Sequence, residues 1–137
     1  MYFNNLKTII VDRDPRDVFL LEMDNPYGVV PTDVIEFCKW YSLIRQHRKY
    51  ECLNNENVLF INFEDMIYDY HNTANIICNF LNISYEGISS EFKYFDPEKS
   101  IQNTRKWVKN NKYDKDIRCI ENQLSEYLYD YRKVGIE

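Results

Sequence analysis

Lys7-Thr8-Ile9-Ile10-Val11-Asp12-Arg13-Asp14-Pro15-Arg16-Asp17 is the stretch whose reading decides the fold. Thr8 to Val11 are all β-branched, which stiffens the side chain at χ1 and favours a pleated strand over a helix. The run from Leu6 to Asp12 does not alternate apolar with polar residues, so it reads as a strand buried on both faces. It stops where a helix should begin. Asp14 can accept hydrogen bonds from the first helical amides, Pro15 has no amide to leave unpaired at the first position, and Asp17 stands three residues past the cap. The helix continues through Val18, Phe19 and Leu21 until Asn25-Pro26-Tyr27-Gly28 breaks it.

Outward from this unit, Pro31-Thr32 opens a longer helix with Thr32 as its cap. Val34, Phe37, Cys38, Tyr41 and Ile44 recur on one face, and the helix stops near Leu53-Asn54-Asn55. Asn57 to Phe63 is a second strand of buried type, closing on Glu64-Asp65. A further helix runs from Asn72 through Ile76, Ile77, Phe80 and Leu81. Residues 84–102 read as irregular. A last helix spans Asp114 to Tyr131, with Ile117, Ile120, Leu124, Tyr127, Leu128 and Tyr131 as its buried stripe. The order strand, helix, helix, strand, helix, loop, helix predicts one α/β domain over residues 1–137, with a short parallel sheet flanked by helices. Two strands also predict an exposed apolar sheet edge, which a second copy of the chain or a separate N-terminal piece would cover.

Composition narrows the function. The chain has 137 residues, enough for one buried core, and 45% hydrophobic against 28% charged residues is a globular balance. A net charge of −5 offers no basic field for a nucleic-acid polymer, although a local cationic pocket for one small anion remains compatible with it. Four cysteines, Cys38, Cys52, Cys78 and Cys119, are widely separated, and with His47 and His71 they make no metal-ligand spacing; free thiols are expected. No leader-like segment and no membrane-length apolar run is present, so a cytoplasmic protein without a membrane partner is expected.

Chemistry is expected at Arg13. Ligands of open α/β sheets sit at the carboxyl ends of the strands, where loops feed helix N-termini. An Arg fork beside free helical amides suits a phosphate, and Arg16 adds a second positive group. The same residues also fit a plainer arrangement in which Arg13 and Arg16 pair with Asp12, Asp14 and Asp17.

The segment Arg13-Asp14-Pro15-Arg16-Asp17 resembles the 3′-phosphate-binding motif of the sulfotransferase family. Phe37-Cys38-Lys39-Trp40-Tyr41, the strand Val58-Leu59-Phe60-Ile61-Asn62-Phe63-Glu64-Asp65 and Cys78-Asn79-Phe80-Leu81 follow in that family's order. Lys99-Ser100 through Asn103, Arg105, Lys106 and Trp107 resembles its phosphate-closing loop. The resemblance implies a P-loop-like sulfotransferase fold, truncated here, that uses 3′-phosphoadenosine 5′-phosphosulfate as co-substrate and needs no metal. It implies phosphate binding by Arg13, with Arg16, Arg105 and Lys106 as further cofactor-binding residues and Lys99 and Lys109 as weaker candidates. It also implies sulfuryl transfer to a hydroxyl or amine acceptor, such as a saccharide. The alternative is a non-catalytic nucleotide-binding or interaction remnant of the fold. Two positions depart from the family pattern: Leu21 stands where a phosphate-binding Ser is usual, and Phe63 where a Tyr is usual. The family's phosphosulfate loop and catalytic base precede the first strand by about a hundred residues, so neither is assigned to a residue of this sequence. Glu64 and Asp65 read as structural acids, and His47 and His71 as ordinary histidines.

Overall fold

The computed structural model describes residues 6–25, 27–52, 55–85 and 95–136. Strand β1 (Thr8–Asp12) leads into helix α1 (Pro15–Met23), then α2 (Val34–Cys52), strand β2 (Val58–Asn62), α3 (Phe63–Tyr68) and α4 (Tyr70–Leu81). After residues 86–94 come α5 (Pro97–Ser100), α6 (Lys106–Lys109) and α7 (Asp114–Gln123), with 3₁₀ turns at Ile101–Asn103, Asn111–Tyr113, Ser125–Tyr127 and Tyr131–Val134. β1 and β2 pair in parallel, Thr8 opposite Val58 through Asp12 opposite Asn62. The fold is thus mixed α/β with a short parallel sheet.

Local chemistry explains most of the boundaries. The Asp14 carboxylate accepts the Arg16 amide at 2.9 Å and caps α1, with Pro15 at the first helical position. The cap of α2 is Asp33 and not Thr32. Its Oδ1 accepts the amides of Ile35 and Glu36, both at 3.0 Å, because a charged acceptor one residue nearer the first unpaired amides outcompetes the hydroxyl. α2 ends at Cys52; the stop predicted at Leu53-Asn54-Asn55 falls partly outside the described residues. Within the stretch expected to be irregular, Asp96 caps α5 by accepting the Glu98 and Lys99 amides at 3.1 and 3.3 Å; residues 86–94 lie outside the description.

The core is made by helices. Phe19 and Leu20 of α1, Phe37, Cys38 and Tyr41 of α2, and Ile117, Ile120 and Leu124 at α7 form one buried cluster, with the Phe19 and Phe37 rings meeting edge-on at 5.2 Å. The strands are less covered than a two-faced buried sheet would be. Ile61 is buried, but most strand residues are only half-buried and Val11 is 48% exposed, because no third strand flanks the pair among the described residues. α4 begins at Tyr70, two residues before the expected start; Ile76 and Leu81 are exposed, while Thr73 is buried with its hydroxyl donating to the Asp65 carbonyl at 3.1 Å. That hydrogen bond turns the Thr73 side of α4 toward α3. The last helix is shorter than predicted. The chain leaves it at Leu124, and the Tyr129 amide then reaches Asp14 Oδ2 at 3.2 Å, so the tail follows the strand ends rather than the helix axis. Among the described residues no helix is long and apolar enough to cross a membrane.

Candidate functional site

The register that sets Asp12 opposite Asn62 brings the carboxyl ends of both strands level, so the residues that follow them, Arg13 and Phe63, become neighbours. The Arg13 guanidinium lies over the Phe63 ring, 4.7 Å from its centre, and donates to the Asn103 carbonyl. Its Nε is buried and has no partner among the described residues. The backbone beneath is fixed from the other side, where the Tyr41 hydroxyl donates to the Arg13 carbonyl at 2.7 Å. Tyr41 in turn accepts from Arg45 at 3.0 Å, and Arg45 pairs with Asp12 at 2.9 Å. Arg13 is therefore a side chain held at a strand end by its main chain, with its guanidinium turned toward the segment that contains Asn103.

That segment is itself tied to α1. Asp17 is completely buried, and its two oxygens accept the amides of Arg105 and Lys106, each at 2.9 Å. Arg105 adopts φ 54°, a left-handed conformation that costs a non-glycine residue about 1 kcal/mol and therefore needs outside support. The Arg105 guanidinium lies 5.6 Å from the centre of the Tyr131 ring, and Lys106 Nζ is 3.6 Å from Asp24. Thr104 is held by the Tyr68 hydroxyl and donates to the Ile101 carbonyl at 2.9 Å. Of the residues singled out in the sequence, Arg13 reaches this segment at the Asn103 carbonyl, while the Arg105 and Lys106 side chains turn to Tyr131 and Asp24.

Arg16 is placed differently. Its guanidinium pairs with Asp14 at 2.7 Å and Glu121 at 2.9 Å and stacks on Trp107 at 3.8 Å. Asp14 is buried, so this pair replaces water that the carboxylate has lost. The plainer sequence reading, in which the arginines pair with nearby acids, describes Arg16 and its partner Asp14; Arg13 finds a carbonyl and a ring instead. Lys99 pairs with Asp96 at 3.0 Å, Lys109 is exposed on α6, and His71 Nδ1 meets the Tyr85 hydroxyl at 2.8 Å. The side chains of His47 and Cys52 lie outside the described residues; Cys38, Cys78 and Cys119 are free thiols. Among the described residues no cluster of His, Cys, Asp or Glu is arranged to hold a metal ion.

Behind the cationic groups lie buried acids. Glu64 Oε1 accepts the Asp14 amide at 3.0 Å, and its Oε2 has no partner among the described residues. Burial pushes the Glu64 carboxyl up to about 7, reinforced by Asp14 and Asp17 and opposed by the Asp14 amide. Burial pushes Asp17 up to about 6, with the Lys106 amide and the Arg13 charge opposing and Asp14 reinforcing. Tyr131, whose buried hydroxyl also has no partner among the described residues, is pushed upward by burial and by Asp14, Glu64 and Asp17. A recess of about 250 Å³ opens at the strand ends, between Arg13, Asn62, Tyr41 and the tail residues Tyr127, Tyr129 and Lys133.

Sequence reasoning missed two contributors. Tyr41 reads as a core residue on the helical stripe, yet its hydroxyl anchors Arg13. Asp17 reads as a capping acid, yet Asp14 already fills that role, and this redundancy was the available signal that Asp17 serves elsewhere. Compared with known proteins, the chain matches the sulfotransferase domain model over residues 1–127. No curated protein and no solved structure matches it. The family match runs through both strands, the Arg13 turn and the 103–106 segment, and on that extent the chain belongs to the sulfotransferase family.

Proposed function

We propose that this chain binds 3′-phosphoadenosine 5′-phosphosulfate with its 3′-phosphate on Arg13, Arg105 and Lys106, as part of a P-loop-like enzyme of the sulfotransferase family. The observation that carries the reading is the meeting of Arg13 with the Asn103–Lys106 segment at the carboxyl end of β1. A guanidinium whose present partner is a neutral carbonyl can exchange it for a phosphate, a stronger charge-assisted acceptor. Phe63 under the guanidinium holds its plane without competing for its donors. Arg16 supports the site from behind by neutralising Asp14 and packing on Trp107.

Sulfuryl transfer breaks the bond between sulfur and the bridging oxygen of the donor and forms one from sulfur to an acceptor oxygen or nitrogen, whose proton passes to a base. It requires in-line positioning and positive charge on the departing bisphosphate. The residues described here supply positioning of the far, 3′ end. On this reading the phosphosulfate loop and the base lie outside residues 1–137, and a second copy or a separate N-terminal piece would cover the half-exposed strand β1. The acceptor is a hydroxyl or amine compound such as a saccharide, consistent with the polar recess bordered by tyrosines and Lys133. Leu21, 43% exposed where the family pattern has a phosphate-binding Ser, favours a second reading, a nucleotide-binding remnant without transfer activity.

Titration calorimetry with adenosine 3′,5′-bisphosphate tests the proposal. Binding that Arg13→Ala weakens at least about tenfold is expected, from loss of a charged hydrogen bond. Absence of any heat at millimolar nucleotide would sink both readings. Binding that never leads to transfer, even with a separate polypeptide carrying a phosphosulfate loop added, would select the remnant.

A further inference from the structure

Two clamps hold the 103–106 segment. The Asn103 carbonyl rests on the Arg13 guanidinium, and the amides of Arg105 and Lys106 rest on the two oxygens of Asp17, at 2.9 Å each. The first clamp uses the side chain that a phosphate would occupy, so an anion arriving at Arg13 displaces the Asn103 carbonyl. The second clamp lies one helical turn away and is buried. It also consumes two successive backbone amides, the kind of donor pair that anions otherwise take. Arg105 depends on it most, because its left-handed backbone is one that a non-glycine residue seldom keeps without support.

We propose that Asp17 is the positioning residue of the anion site: it keeps Arg105 and Lys106 in place once the ligand has drawn Arg13 away from Asn103, and it leaves side chains, not these amides, to meet the anion. The ligand half of this inference rests on the nucleotide reading above; the tether itself does not. Asp17 is faced by the Arg13 guanidinium, by the carboxyls of Asp14 and Glu64 and by the Tyr131 hydroxyl, so three acids share one buried region. Its carboxyl is pushed up to about 6, so the acceptor weakens as the pH falls through that value.

The test uses the full chain and the variants Asp17→Ala and Asp17→Asn, the second keeping one acceptor oxygen and nearly the same volume should the first fail to fold. Amide hydrogen exchange without ligand is measured at Arg105 and Lys106, with Ile120 and Leu124 as core references. Both loop amides should exchange at least about tenfold faster in Asp17→Ala, and at least one of them in Asp17→Asn, while the references hold, as expected for losing a buried acceptor. Unchanged exchange at Arg105 and Lys106 overturns the proposal. Calorimetry with adenosine 3′,5′-bisphosphate should then show affinity falling about five- to tenfold in Asp17→Asn. Loosened amides with unaltered affinity also overturn it. If the wild type binds no nucleotide, the functional reading fails, and the exchange result alone decides whether Asp17 tethers the segment.

Discussion

Replacing Glu64 with Gln should stabilise this protein, by an amount that depends on pH. Glu64 is fully buried, Oε1 accepts the Asp14 amide at 3.0 Å, and Oε2 has no partner among the described residues. Burial raises its carboxyl from 4.5 to about 7. The native protein therefore holds a proton on Glu64 at pH values where the unfolded chain has released it. Wherever the native state binds more protons, stability falls as the pH rises, here from about 4.5 to about 7, and the loss is complete above that. A rise of this size corresponds to about 3 kcal/mol as an upper bound, and relaxation around an ionised group lowers the expected figure to about 2 kcal/mol. Gln cannot ionise, and its carbonyl oxygen can go on accepting the Asp14 amide. Urea unfolding of both proteins at about pH 4.5, 6 and 8 should show equal stability at the lowest pH. At the highest, the variant should lead by about 2 kcal/mol, or about 5 °C or more in Tm. Asp17, raised to about 6, titrates in both proteins and cancels from their difference to first order. A difference that does not grow with pH, or a Gln variant weaker than wild type at pH 8, would refute the claim that Glu64 carries an uncompensated buried charge.

Arg16→Ala should cost about 3 kcal/mol in denaturant unfolding, because Asp14 stays buried after losing its partner and Trp107 loses its stacking cation; a loss below about 1 kcal/mol would show that water reaches Asp14. Leu21→Ser should leave stability nearly unchanged, since Leu21 is 43% exposed, and should tighten adenosine 3′,5′-bisphosphate binding about fivefold by calorimetry. No gain in affinity would mean that position 21 does not face the phosphate.

Much of the fold was legible because its signals are local. The cap at Asp14 and Pro15 needs only the following turn, and the stripes Phe37, Cys38, Tyr41 and Ile117, Ile120, Leu124 need only helical periodicity. Readings failed where a distant partner outweighed local preference. The final helix yields at Leu124 because Asp14 draws in the Tyr129 amide across the fold. α3 follows β2 without a break and went unread; its start is fixed by the end of β2 and by Glu64 reaching Asp14 across the fold. The strands looked doubly buried because Thr8-Ile9-Ile10-Val11 carries no alternation, a pattern that says what covering the strands suit but not what covers them.

The sequence by itself determined that a β-branched strand must end at Arg13 and turn into a capped helix, since stiff side chains and a Pro at the first helical position leave the backbone little else. It also determined family membership, through motifs that run the length of the match. Tertiary structure alone decided the division of labour among the charges clustered at that turn. Arg13 and Arg16 are three residues apart and chemically alike, yet one meets a carbonyl and a ring while the other is locked between Asp14, Glu121 and Trp107. Asp14 and Asp17 are equally interchangeable on paper, yet one caps its own helix while the other holds amides 88 and 89 residues away. Such choices follow from which buried donors need an acceptor once the chain has folded, and no local pattern encodes that.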